Sequence, residues 1–151
     1  CELVIACDII LATRDVTFAI TPAKLGVPYN LSGVLNFMDA VPLNVLREML
    51  YTAAPLDATR ACNVVMINRV VDDPQQLEPL AMEIAGQICA NAPRVVSTLK
   101  QELRLLSEAA PVNIEAFEQI QAMRRKVYDS ADYREGLAAF FERRPAKFTG
   151  E

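Results

Sequence analysis

The 151-residue chain contains no histidine. That absence removes Ser-His and Cys-His nucleophilic chemistry from within the chain, and with it the commonest metal ligand. Acid–base work is left to carboxylates, tyrosines and lysines. There is also no Cys-x-x-Cys pair. Cys1, Cys7, Cys62 and Cys89 are widely spaced, the pattern of reduced, mostly buried thiols in a cytoplasmic protein. No apolar run approaches the length of a membrane span, and no charged lead into an apolar segment marks a targeting signal. The 15 basic residues are scattered within a net charge of −4, so no basic face is offered to nucleic acid. Repeats, low-complexity tracts and obvious linkers are missing too.

What is present suffices for a folded domain. The chain is 52% hydrophobic and 23% charged, which excludes a disordered polymer, and its length allows a real core. It opens on Cys-Glu-Leu-Val-Ile-Ala-Cys-Asp. This reads as the middle of a buried helix running straight into a strand. Natural chain starts are usually exposed and polar, so the expectation is a piece of something longer.

Alternation and turn residues predict a strand over 8–13, a turn at Arg14-Asp15 and a second strand over 16–20. Helices are predicted over 31–40 and 42–53, with Pro42 as a first helical residue. Asp57 caps a helix over 58–63, and 67–71 reads as a short strand. Asp73-Pro74, with Gln76 beyond, opens a helix whose apolar face holds Leu77, Leu80, Ala81, Ile84, Ala85 and Ile88. Pro93 starts another helix, with Val96, Leu99, Leu103 and Leu106 on one side. Asn113 and Ser130 cap two more. These strands are too few to cover so many amphipathic helices. Either further chain or neighbouring subunits must cover the rest.

One stretch has a composition shaped by more than packing: Thr21-Pro-Ala-Lys-Leu-Gly-Val-Pro-Tyr-Asn-Leu-Ser-Gly33. Pro22 and Pro28 fix φ, and Gly26 and Gly33 permit backbone that other residues adopt at a cost. Tyr29 stands just before a helix start, where unpaired N–H groups suit an anionic ligand. The residues alone leave two roles open. Tyr29 either meets such a ligand or packs its ring and hydrogen-bonds a carbonyl.

Several motifs together resemble the crotonase (enoyl-CoA hydratase/isomerase) superfamily. They are C-E-L-x-x-A-C-D-x-x-x-A over 1–12, a Phe shortly before Thr21-Pro22, Leu25-Gly-Val-Pro28, Thr52 to Ala61, and the close from Asp132 to Arg144. The stretches 21–33, 102–108 and 123–130 are similar to the branch that decarboxylates methylmalonyl-CoA. The resemblance covers the whole chain but only the C-terminal part of a family member. It implies an α/β fold, in which residues 1–71 are the C-terminal part of a ββα spiral and 72–151 a helical oligomerisation region. It implies a CoA thioester as substrate, with its enolate stabilised by two backbone N–H groups.

Of the two glutamates that hydratases use, Glu2 matches the first and the position of the second falls on Pro22, which moves no proton. The resemblance therefore implies decarboxylation of methylmalonyl-CoA to propionyl-CoA, with Tyr29 holding the substrate carboxylate. Glu2 is either part of that chemistry or a structural hydrogen-bonder, because an unpaired glutamate on a buried helix is costly. Thr21, Pro22, Val27 and Pro28 are implied at the substrate. Phe140 and Arg143 are implied at CoA, although Arg143 beside Arg144 is equally a solvated helix end. Both oxyanion donors precede Cys1 in the family, so the chain is expected to be inactive alone. No metal or organic cofactor is implied. Identical subunits, as trimers or dimers of trimers, are the implied partners. Another crotonase reaction or a non-catalytic assembly fragment are the alternatives. One departure concerns Val65, where the family often has glycine. A β-branched residue resists the left-handed conformation of a helix C-cap, so that helix end must differ or carry strain.

Overall fold

The computed structural model describes residues 1–107 and 114–150. The expected Asn113 cap, Glu108 and the Leu106 side chain lie outside the described residues. In chain order the elements are α1 (Glu2–Ile5), β1 (Leu11–Thr13), β2 (Thr17–Phe18), a 3-10 turn (Pro22–Leu25), α2 (Leu31–Ala40), α3 (Leu43–Thr52), β3 (Leu56–Asp57), α4 (Ala58–Asn63) and β4 (Arg69–Val71). A second 3-10 turn (Pro74–Gln76) leads to α5 (Leu77–Cys89), α6 (Pro93–Ser107), α7 (Ile114–Asp129) and α8 (Ala131–Glu142).

The strands form two small pairs. β1 runs parallel to β4, with Ala12 opposite Val70, and β2 runs antiparallel to β3, with Phe18 opposite Leu56. Both first strands are shorter than predicted. Asn68 explains part of this. Its side-chain oxygen accepts from the Ile10 N–H at 2.7 Å, and its own N–H donates to the Ile10 carbonyl at 2.8 Å. The chain thus enters the sheet through a side-chain bridge rather than a ladder. The core lies between these strands and α2 to α4, with Phe37, Leu46 and Ile67 fully buried at its centre.

The caps follow their residue types. The Asp57 carboxylate accepts from the Arg60 N–H at 2.8 Å, and the Ser130 hydroxyl accepts from the Tyr133 N–H at 3.1 Å. Asp73 accepts from Gln75, so it caps the 3-10 turn before α5 rather than α5 itself. Pro42 sits one position earlier than predicted. It is the capping residue of α3, and its carbonyl accepts from Val45 and Leu46. Val65 takes φ +65°, so the end of α4 carries the strain that a β-branched residue brings there.

Two expectations are corrected. α1 is not a buried helix: Ile5 is buried but Leu3 is 85% exposed, because the described chain packs on one side of that single turn. The thiols are not mostly buried either. Cys1, Cys7 and Cys89 are exposed and Cys62 is half-buried, all of them free. Cys1 and Cys7 flank the open face of α1, and Cys89 ends α5, which has no buried residue.

Among the described residues the helical segment folds back onto the first part, with α5 packed on β1. Lys100 pairs with Asp8, Arg124 donates to the Tyr29 carbonyl, and α8 packs on the first 3-10 turn. Much of its apolar surface is nonetheless uncovered, as at Leu99, Leu103 and Met123.

Candidate active site

The first 3-10 turn is headed by Pro22 and closed by Gly26, whose φ of +64° is the left-handed conformation that glycine adopts at no steric cost. The chain then runs through Val27 and Pro28 to Tyr29. Asn30 is the N-cap of α2: its side-chain oxygen accepts from the Gly33 N–H at 2.6 Å and from the Ser32 hydroxyl at 2.7 Å. The cap stops the chain in extended backbone at Asn30 and turns Tyr29 back over the first turn of the helix.

There Tyr29 meets Glu2 from α1. The phenol donates to Glu2 Oε2 at 3.0 Å. The Asn30 amide donates to both carboxylate oxygens, at 3.2 and 3.0 Å. One asparagine therefore caps α2 with its oxygen and holds the carboxylate with its nitrogen. The Tyr29 ring rests near Phe37, centroids 6.2 Å apart. Gly33 gives the ring and the carboxylate their room. A Cβ there would stand 2.8 Å from the Tyr29 ring and 3.0 Å from the Glu2 carboxyl carbon. Gly33 is thus needed for space inside a helix, not for unusual backbone as its place in the loop motif implied.

Burial pushes the Tyr29 phenol up to about 12, helped by its hydrogen bond to Glu2 and by the Glu2 charge. At neutral pH Tyr29 is a proton donor and not a phenolate. The cluster can present one oriented O–H beside one held carboxylate. It holds no pair of carboxylates, since Pro22 carries no titratable group.

The other expected site residues scatter. Val27 and Pro28 line an open cavity of about 570 Å³ with Lys126, Val127 and Phe148, a cavity that neither Glu2 nor Tyr29 lines. Thr21 is exposed, with its carbonyl accepting from Lys24. Phe140 and Arg143 stand at the exposed end of α8, where Phe140 packs edge-on against Phe141 at 5.8 Å and Arg143 takes φ +54° just past the helix. Glu2 and Tyr29 were legible in the sequence; Asn30 was overlooked. Its signal was there, an asparagine immediately before a helix start. Arg124, on a distant helix, had none.

Residues 1–151 match the family described as Enoyl-CoA hydratase/isomerase. The chain belongs to that family. Methylmalonyl-CoA decarboxylase of Escherichia coli (strain K12) is 42% identical over 149 residues, covering 99% of this chain and 57% of that protein. A carnitinyl-CoA dehydratase of Citrobacter koseri is 35% identical over 153 residues, covering 99% of this chain and 58% of its own length. Among solved structures, methylmalonyl-CoA decarboxylase in complex with 2-nitronate-propionyl-CoA superposes with a TM-score of 0.92 at 42% identity, over 99% of this chain and 57% of that one. The carnitinyl-CoA hydratase from Mycobacterium avium superposes at 0.79 and 25% identity, over 99% of this chain and 57% of its own. The chain therefore spans a little over half the length of these family members. Its α/β architecture is part of the crotonase fold. No helix among the described residues is long and apolar enough to cross a membrane.

Proposed function

We propose that this chain carries part of the active site of a CoA-thioester decarboxylase acting on methylmalonyl-CoA. The observation that carries the reading is the Glu2–Tyr29–Asn30 cluster, in which a single carboxylate faces a protonated phenol and Pro22 supplies no second acid or base. Hydration needs one group to activate water and another to deliver a proton. Decarboxylation needs neither at the start. The C–C bond to the carboxylate breaks, its electron pair enters the thioester carbonyl as an enolate, and carbon dioxide leaves. A proton from solvent at the same carbon then completes propionyl-CoA.

In this reading the Tyr29 O–H turns from Glu2 to the substrate carboxylate. Glu2 stays held by the two bonds from Asn30, which keep it from following the substrate. Tyr29 thereby sets the breaking bond perpendicular to the thioester plane, which is catalysis by orientation. Backbone N–H groups for the enolate oxygen come from chain preceding Cys1, and subunits assemble through the uncovered helix faces. The likeness to carnitinyl-CoA dehydratases favours dehydration as a second reading.

The test is to join residues 1–151 to a segment that supplies the enolate's N–H donors, and to give methylmalonyl-CoA, crotonyl-CoA and carnitinyl-CoA to that protein and to its Tyr29→Phe variant. Carbon dioxide release that falls at least ~100-fold in the variant, as loss of a transition-state donor does, supports the decarboxylase. Hydration or dehydration without carbon dioxide overturns it. Discrete oligomers with no turnover of any thioester identify an assembly fragment instead.

A further inference from the structure

We propose that Arg124 on α7 and Gly136 on α8 are positioning residues that hold the Tyr29 loop against Glu2. The inference rests on the decarboxylase reading for what Tyr29 does, but not for where Tyr29 sits.

Two independent contacts carry it. The half-buried Arg124 guanidinium reaches across from α7 and donates to the backbone carbonyl of Tyr29 itself. A hydrogen bond from a charged donor is stronger and more directional than a neutral one. It fixes the peptide unit from which the phenol is hung. The second contact is backbone on backbone. A Cβ at Gly136 would stand 2.2 Å from the Leu25 carbonyl oxygen and 2.5 Å from its carbon, and one at Gly26 would stand 2.7 Å from the Asp132 carbonyl oxygen. The 3-10 turn and the first turns of α8 thus lie as close as two chains can, with a glycine on each side. Any larger residue at position 136 must push the turn away by roughly 1 Å, because non-bonded heavy atoms rest ~3.5 Å apart. The turn ends three residues before Pro28, whose ring is stiff, so the displacement passes along the loop to Tyr29. The phenol has 3.0 Å to Glu2, and a shift of that size breaks the bond and opens the ring to water.

The test reads the geometry without turnover. The full chain is made with tyrosine labelled with ¹³C at Cζ, and the Tyr29 signal is assigned by its loss in Tyr29→Phe. With the phenol at about 12, about a tenth of Tyr29 is ionised at pH 11, against about nine-tenths at the ordinary phenol value of about 10. Arg124→Met and Gly136→Ala are expected to move the signal toward the ionised fraction. Arg124→Lys, which keeps a charged donor, is expected to retain most of the protonated form. Arg60→Met, on the surface of α4, is the control for general loosening.

If Gly136→Ala does not fold, Arg124→Met decides. An unchanged Tyr29 signal in Arg124→Met overturns the proposal, as does an equal change in Arg60→Met. A still lower ionised fraction in Arg124→Met overturns it as well, and would give Arg124 an opposite role: a cation whose charge lowers the phenol. Absence of carbon dioxide release bears on the decarboxylase reading and leaves this result standing.

Discussion

Gly33 is where two local rules conflict. Alanine is favoured over glycine within a helix by ~1 kcal/mol, and Gly33 lies in the first turn of α2. Yet a methyl there meets both the Tyr29 ring and the Glu2 carboxyl group closer than 3.1 Å. Overpacking costs ~1–3 kcal/mol, and a hydrogen bond to a charged group is worth ~1.5–3 kcal/mol when lost. The second effect wins. Gly33→Ala is expected to destabilise the chain by about 2 kcal/mol, measured as a lower urea midpoint, and to ionise Tyr29 at a lower pH. A more stable variant would mean that ring and carboxylate step aside freely. The same residue shows the limit of reading a site from sequence. The motif around it signals a special loop, but the contacts that make glycine necessary come from the Tyr29 ring folded back over the helix and from Glu2, a residue distant in the chain. Tyr29 was legible because the two prolines stiffen its loop next to a helix start. The partner of its proton was not, since both carbonyl and carboxylate fit a phenol and only the fold brings Glu2 across.

Among the elements, the helix starts were the most legible and the strands the least. Asp57 and Ser130 each cap a helix with the side-chain oxygen their residue types supply, and Asp73 caps the 3-10 turn ahead of α5, because capping is decided within four residues of sequence. The strands came out shorter because pairing depends on partners far away, such as Asn68 opposite Ile10. The end of α4 was legible as a conflict. Val65 adopts φ +65° while 80% exposed, so almost no burial compensates the strain. Left-handed backbone costs an L residue ~1–2 kcal/mol, whereas glycine adds ~0.5–1 kcal/mol of freedom to the unfolded chain. Val65→Gly is therefore expected to stabilise by about 0.5 kcal/mol, seen as a small rise in the urea midpoint at unchanged slope. A loss of stability would show that the valine side chain packs on something that its exposure conceals.

At the scale of the whole molecule, surface area decides between a finished domain and one that needs a cover. The chain exposes 10730 Å², whereas a compact monomer of this mass exposes about 7,600 Å². The excess, roughly 3,000 Å², lies on one chain and is more than the ~1,000–2,500 Å² that each partner gives to an obligate interface. Scattered exposed apolar residues are ordinary, but contiguous apolar area beyond a few hundred Å² marks a contact surface. The expectation from sequence that strands are too few for the helices is met as geometry, and it points to α6 as the clearest case. Leu99 and Leu103 stand one turn apart on it, 51% and 68% exposed, and so share a face. Replacing both by glutamate, Leu99→Glu with Leu103→Glu, removes no buried contact within the chain, so its stability at low concentration is expected to change by less than ~0.5 kcal/mol per site. If copies of the chain cover this face, sedimentation across a concentration series will show association in the parent and its loss in the double variant. Association that survives both charges places the interface elsewhere on the excess surface. A large drop in stability at low concentration would instead mean that α6 is already packed within the single chain.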